Sequence, residues 1–313
     1  MLRPMLRLIA VAGLSCVLAR PTWADDLPEL RSRAVVVLDS ETGAELFSKD
    51  ADDVRSIAST TKIFVAMAVR AHKIDLDGWT EITRSDARQA RGGARTRLDV
   101  GEKFKNKDLL RAMLMSSDNR APTALGRAAG LDHDGLVAAM NKIAKKLHLK
   151  RTKFTDPSGL HGNVSTAREM ALALRAALAD PVLREIMGDD YEMVYAKGRK
   201  RRGIGYGSTN QPLVAKRYDV VGGKTGYTKV AGYCFITAAR FGGREYLTVF
   251  LGAPTKPSRF EDFNRIAAWI DRGAPGAKIA VKRPSRARPK LDVESPGGRV
   301  ADPTTVELAD GEK

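Results

Sequence analysis

Arg33-Ala-Val-Val-Val-Leu-Asp39 is a near-continuous apolar run rich in β-branched residues, and it predicts a strand close to the start of the folded chain. Ser40 to Gly43 reads as a turn and Ala44-Glu-Leu-Phe-Ser48 as a second strand, which together make a hairpin. Strands of the same kind return only far downstream, at Val220 to Thr225, Gly232 to Ala239 and Glu245 to Leu251, with glycine-containing turns between them. The intervening stretch is helical. Ser59 to Ala71 contains an apolar run from Ile63 to Val69, Lys107 to Met115 is a second helix, and Leu136, Met140, Ile143 and Leu147 recur at helical spacing in a third. Thr166-Ala-Arg-Glu169 has capping-box form and opens a helix through about Ala179. A last helix is expected from about Arg259 to Ile270. The order strands, helices, strands, helix implies an α/β (α+β) chain. One antiparallel sheet would be built from both ends of the sequence and flanked by helices, with a helical subdomain at about residues 73–165 inserted between its halves.

The chain has 313 residues, 43% hydrophobic and 29% charged, a soluble globular composition that excludes disordered, collagen-like and polytopic membrane classes. Residues 1–24 read as a secretory signal. Arg3 and Arg7 are followed by a short apolar stretch from Leu8 to Ala19, and Thr22-Trp23-Ala24 ends in a small residue. Removal of such a leader takes away Arg3, Arg7 and Arg20 and lowers the formal charge from +16 to +13. It also removes Cys16, so that Cys234 alone remains and no internal disulfide can form. The expected location is therefore the periplasm or cell envelope. A surface this basic suits anionic polymers, and export argues against nucleic acid as the partner. From residue 273 to 313 the chain is Pro-rich, charged and without periodicity, and reads as a disordered basic tail beyond a domain at 25–272.

Three short constellations carry chemistry. Ser59-Thr60-Thr61-Lys62 sets a hydroxyl and an amine at i and i+3, on one face of a helix start, where a neutral lysine can take the serine proton. Ser117-Asp118-Asn119 ends a helix and can turn a hydroxyl and an amide into a cleft. Lys224-Thr225-Gly226 closes a strand, where an edge could pair with an extended peptide. Each alone also reads blandly, as a helix cap, a polar loop and a basic strand end.

Together and in this order, S-x-x-K, S-D-N and K-T-G are the combined signature of class A β-lactamases and penicillin-binding proteins. The sequence resembles the low-molecular-weight penicillin-binding proteins, the serine D-alanyl-D-alanine carboxypeptidases and endopeptidases, over roughly residues 33–272. The resemblance is carried by Ile57-Ala-Ser-Thr-Thr-Lys62, Leu114-Met-Ser-Ser-Asp-Asn-Arg120, Asp156-Pro-Ser-Gly-Leu160 and Gly223-Lys-Thr-Gly-Tyr-Thr228. It implies a β-lactamase/penicillin-binding-type transpeptidase fold, with peptidoglycan stem peptides as substrates and β-lactams as covalent inhibitors. By resemblance Ser59 is the acylated nucleophile, Lys62 its base and Ser117 a proton shuttle. Asn119 binds the peptide, and Lys224 sustains the field that keeps Lys62 neutral. Thr225 holds the terminal carboxylate, Gly226 completes the strand motif, and the N–H groups of Ser59 and Tyr227 form an oxyanion hole. Arg259, in Pro257-Ser-Arg-Phe-Glu261, is a second candidate carboxylate anchor.

Other chemistries fit less well. A class A β-lactamase needs a glutamate to activate the deacylating water, and no glutamate occurs between Glu102 and Glu169. The four histidines, at 72, 133, 148 and 161, lack zinc-ligand spacing, so neither a metal nor another cofactor is expected. Gly222-Gly-Lys-Thr225 is not a phosphate loop, because Tyr218 stands where that motif needs glycine. Gly203-Ile-Gly-Tyr-Gly207 reads as a flexible loop, and Cys234 as a buried strand residue. A non-catalytic wall-binding protein remains the rival from another class. It would rest on Lys197-Gly-Arg-Lys-Arg-Arg202 and on the six basic residues from Lys278 to Lys290, which could also tether an enzyme to the envelope. The Pro-rich basic tail after residue 272, with the Ser-Ser-Asp-Asn-Arg form of the second motif, favours an endopeptidase over a carboxypeptidase.

Overall fold

The structure is a computed structural model that describes residues 27–94, 96–198 and 203–277. The expected leader, residues 199–202 of the basic segment and the tail from residue 278 lie outside the described residues. Strand β1 (Ala34–Asp39) pairs with β2 (Glu45–Lys49), and β3 (Arg55–Ser56) follows. A 3-10 turn at Ala58–Thr61 then leads into α1 (Lys62–Ala71), so the helix expected from Ser59 begins one turn later than its sequence suggests. The tighter turn puts Ser59 ahead of the α-helix, following Ala58 at φ 49°.

The middle of the chain holds β4 (Trp79–Glu81), α2 (Arg84–Gln89), β5 (Lys103–Lys105), α3 (Asn106–Ser116), α4 (Ala121–Ala128) and α5 (His133–Lys146). Then come β6 (Val164–Ser165), α6 (Ala167–Leu178) and α7 (Pro181–Gly188). Thr166 caps α6 through the Glu169 N–H, but the Glu169 carboxylate does not close the box. It accepts instead from Arg151 N and Thr152 Oγ1, pinning the preceding loop. Residues Gly203 to Gly207 are not a loop. Ile204–Gly207 forms β8 and pairs with β7 (Tyr191–Val194), and Tyr206 is buried between them and α3. The chain continues through α8 (Gln211–Val214), β9 (Asp219–Thr228), β10 (Gly232–Phe241), β11 (Arg244–Ala253) and α9 (Ser258–Asp271).

The main sheet is antiparallel with order β2-β1-β11-β10-β9, so the first strand lies beside the last and both ends of the chain build one sheet. Both of its faces are covered, which explains the unbroken apolar run in β1. Ala34, Val36 and Leu38 join the core under α1 and α6, whereas Val35 and Val37 join Phe263, Ile266 and Trp269 of α9. The chain does not leave the fold at residue 272. Buried Trp269 donates its indole N–H to the Pro275 carbonyl at 3.0 Å, and Ala274 packs into the same core, so residues 273–277 are part of the domain. Strand β9 ends the sheet, and its outer edge borders a cleft of about 620 Å³.

Candidate active site

The cleft is lined by residues from all three sequence motifs, among them Ser59, Ser117, Asn119, Thr225, Gly226 and Tyr227, and by Arg259. Lys62 and Lys224 are buried behind that lining, Lys62 bonded to Ser59, Ser117 and Asn119 and Lys224 next to Thr225 in β9. The structure thus gathers every site residue singled out in the sequence.

Lys62 meets four oxygens. Its Nζ lies 2.8 Å from Ser59 Oγ, 3.3 Å from Ser117 Oγ, 2.6 Å from Asn119 Oδ1 and 2.9 Å from the Ser158 carbonyl. The amide and main-chain oxygens can only accept, whereas the hydroxyls can also donate. A neutral amine fits this set well. Its two N–H groups go to Asn119 and Ser158, and its lone pair is left for the Ser59 hydroxyl. Burial pushes the Lys62 pKa down to about 7, while the Asp156 and Asp118 carboxylates oppose that fall. Lys224 is also held well below the ordinary lysine range, first by burial and then by the charges of Lys62 and Arg259. The resemblance gives Lys224 the part of keeping Lys62 neutral, whereas burial is the largest cause of the lowered Lys62 pKa and the charge of Lys62 acts in turn on Lys224.

Ser117 caps α3 in the left-handed region at φ 63°, a position that usually takes glycine or asparagine. The main chain is held there by Asp118. Its N–H reaches back to the Ala112 carbonyl at 3.0 Å, and its carboxylate accepts from Arg97 N, Arg120 N and Tyr206 Oη. Strain of about 1–3 kcal/mol at such a residue persists only where neighbours over-determine it, and here Ala58 and Ser117 are both strained beside the same amine. Three glycines permit the close approach of the walls. A Cβ on Gly226 would sit 2.9 Å from Ser59 N, one on Gly159 would sit 2.1 Å from the Ala58 carbonyl oxygen, and one on Gly93 would sit 1.9 Å from Asn119 Nδ2.

Arg259 is not a surface residue. It is 5% exposed, and its Nη1 donates to the carbonyls of Gly226 and Cys234 at 3.1 Å each, tying α9 to β9 and β10. Burial brings its pKa down to about 10 and raises the adjacent Cys234 thiol to about 11, so Cys234 is an inert strand residue. Thr225 Oγ1 is bonded to Thr209 Oγ1 at 2.7 Å across the cleft wall. Asp156 and Ser158 enter the sequence reading only within the segment Asp156 to Leu160, without a role, and Tyr206 and Thr209 are not singled out; all four act through backbone or at a distance. Among the described lining residues none is acidic, and Arg91, Lys229 and Arg259 make the cleft cationic. Glu169, the first glutamate after Glu102, is engaged with Arg151 N and Thr152.

A family model described as D-alanyl-D-alanine carboxypeptidase matches residues 22–255. The chain belongs to this family. A D-alanyl-D-alanine endopeptidase from Pseudomonas aeruginosa is 32% identical over 85% of the chain and 86% of its own length. One from Escherichia coli is 28% identical over 83% and 85%. Among solved structures, a Streptomyces DD-transpeptidase superposes with TM-score 0.72 at 26% identity, over 77% of this chain and 97% of that one. This D-alanyl-D-alanine carboxypeptidase family member is a serine DD-peptidase of the penicillin-binding type, with the transpeptidase fold that its motifs imply.

Proposed function

We propose that this DD-peptidase is an exported D-alanyl-D-alanine endopeptidase that opens peptidoglycan cross-links through an acyl-enzyme on Ser59. The observation that carries the acyl-enzyme is the Lys62 amine, buried 2.8 Å from Ser59 Oγ with its other acceptors fixed. Lys62 takes the Ser59 proton as Oγ bonds to the scissile carbonyl carbon, and the N–H groups of Ser59 and Tyr227 receive the oxyanion. Collapse breaks the C–N bond, and the leaving amine takes a proton relayed from Lys62 through Ser117 Oγ, 3.3 Å away. Water then attacks the ester carbonyl carbon, Lys62 takes its proton, and the acyl–oxygen bond breaks as Lys62 returns that proton to Ser59 Oγ, freeing the peptide acid. Asn119 orients the peptide, while Thr225 and Lys224 from β9 and Arg259 from α9 attract its terminal carboxylate, and the free edge of β9 suits an extended peptide.

The endopeptidase assignment is supported by the match to two endopeptidases across most of their length. Two carboxypeptidases from Escherichia coli and Bacillus subtilis are covered over 62% and 59% of theirs, although one from Mycobacterium tuberculosis is covered over 86%. β-Lactams, as mimics of the acylating peptide, are expected to trap Ser59. The basic segment from Lys278 to Lys290 is proposed to hold the enzyme against anionic envelope polymer. Deletion from residue 278, which spares the packed Ala274, should then abolish co-sedimentation with envelopes at low salt.

Intact-mass spectrometry with benzylpenicillin tests the acyl-enzyme. The wild type should gain one long-lived adduct and Ser59→Ala none, after which cross-linked muropeptide dimers should be cleaved faster than monomers are trimmed. Rapid drug turnover without an adduct would make it a β-lactamase, faster trimming of monomers a carboxypeptidase, and neither adduct nor turnover a wall-binding protein.

A further inference from the structure

The Ser158 carbonyl that takes one Lys62 proton lies in a loop with no regular structure, so something must fix it. The loop is wound on one carboxylate. Asp156 Oδ1 accepts from Ser158 N at 2.6 Å, from Gly159 N at 3.0 Å and from Ser158 Oγ in a short contact, and Oδ2 accepts from His161 N at 2.8 Å. Asp156 is buried and is satisfied by these donors, not by an ion pair. Asn163 locks the loop to the helix that bears Lys62. Its Nδ2 donates to the Asp156 carbonyl at 2.7 Å and to Thr61 Oγ1 at 3.1 Å, while its Oδ1 accepts from Asp156 N at 3.1 Å. Gly159, at φ 86°, then seats the loop against the Ala58 carbonyl, beside Ser59.

Resting on the acyl-enzyme reading above, we infer that Asp156 is a positioning residue for Lys62: its carboxylate coils residues 156–161 so that the Ser158 carbonyl takes one amine proton and turns the lone pair toward Ser59. An asparagine keeps one acceptor oxygen but cannot accept from His161 N with its amide nitrogen, so the coil loosens. Asp156 has a second influence that a purely structural loop residue would lack. It is the largest charge opposing the burial-driven fall of the Lys62 pKa. The charged groups facing Lys62 among the described residues are Asp156, Asp118 from the α3–α4 turn and Lys224 from β9, with His161 lining the cleft on the same loop.

Ser59 acylation by a fluorescent penicillin, followed from pH 5 to 9 with thermal melts alongside, tests this. Acylation rises with pH as Lys62 loses its proton. Asp156→Asn should lower the plateau rate about tenfold or more, since misplacing a catalytic group by an ångström costs up to about a hundredfold. It should also move the midpoint to lower pH, because a negative charge beside the ammonium is lost. Asp156→Glu, which keeps the charge at the wrong reach, should lower the plateau and leave the midpoint in place. A labelled wild type beside an Asp156→Asn variant with unmoved midpoint, its rate loss matching its loss of folded protein, would sink the inference alone. An unlabelled wild type would sink the acyl-enzyme reading and this inference with it. If Asp156→Asn does not fold, Ser158→Ala decides. It retains carbonyl and carboxylate but frees one arm of the coil, and an unchanged plateau there overturns the proposal.

Discussion

Lys62 and Lys224 are the same side chain, fully buried on two walls of one cleft, and their surroundings give them different chemistry. Lys62 opens a helix and meets oxygens from the 3-10 turn, the α3–α4 turn and the 156–161 loop, two of which are hydroxyls able to donate. Lys224 sits inside strand β9 between Gly223 and Thr225, donates to the Thr225 carbonyl at 2.8 Å, and faces Lys62 and Arg259. Burial disfavours the charged form of both. What differs is the partner set. A lone pair at Lys62 has a serine proton to receive, whereas Lys224, on the strand edge with Thr225 and Arg259, is placed to meet an anion. Loops build the base and a strand builds the anion wall.

The largest test of that contrast is Lys62→Arg. A guanidinium stays protonated throughout the working pH range, and its planar fork cannot reproduce the amine's four contacts. Penicillin acylation of Ser59 should fall about 10²–10⁴-fold, the usual worth of a general base, and raising the pH to 9 should not restore it. Quenched labelling time courses measure this directly. Rates within threefold of wild type would mean that Ser117 or water serves as the base and that the two lysines do not differ as argued.

Lys224→Met sharpens the comparison from the other wall. Loss of one charge-assisted contact to the substrate carboxylate, about 1.5–3 kcal/mol, should slow acylation about ten- to a hundredfold. The sign of the accompanying pH effect is diagnostic. Burial is the largest cause of the lowered Lys62 pKa and Lys224 is itself held well below the ordinary lysine range, so the acid limb of the rate profile should stay in place. A limb moved to higher pH would show instead that Lys224 carries a charge that Lys62 feels in the resting enzyme.

The two walls were also unequally legible. Spacing offered Ser59 and Lys62 as a pair, because a nucleophile and its base must sit within hydrogen-bond reach and a helix start offers i and i+3, but Ser117, Asn119 and Lys224 took their roles from the resemblance that the three motifs carry together. The sheet was legible for a related reason. A short run such as Ala34 to Leu38, apolar on both faces and rich in valine, is best used as a strand covered on each side. The Ser158 carbonyl was invisible because every residue has one, and only the Asp156 coil aims it. Tyr206 and strand β8 were hidden by glycines that look like loop. A Cβ on Gly205 would sit 2.3 Å from Tyr191 Oη and one on Gly203 2.4 Å from Met193 Cε, so these glycines make room for side chains lying across from β7. The Arg259 burial depends on a contact between α9 and β9 that no local pattern records.

The smallest effect is on stability, and it tests whether burial truly holds the proton off Lys62. Its native pKa near 7 lies below its ordinary value of 10.5, so between these limits the unfolded chain binds more protons than the native one. Stability then rises with pH across that window, by up to about 1.4 kcal/mol per pH unit for each such group. The penalty for burying the lysine is fully present below pH 7 and vanishes as the pH passes 10.5. Lys224 contributes with the same sign. Urea midpoints at pH 7.5 and 9.5 should therefore increase in the wild type, and the increase should shrink in Lys62→Met. An equal increase in both would mean that Lys62 keeps its proton in the resting enzyme and yields it only when substrate arrives, which would move the origin of the base from the fold to the substrate complex.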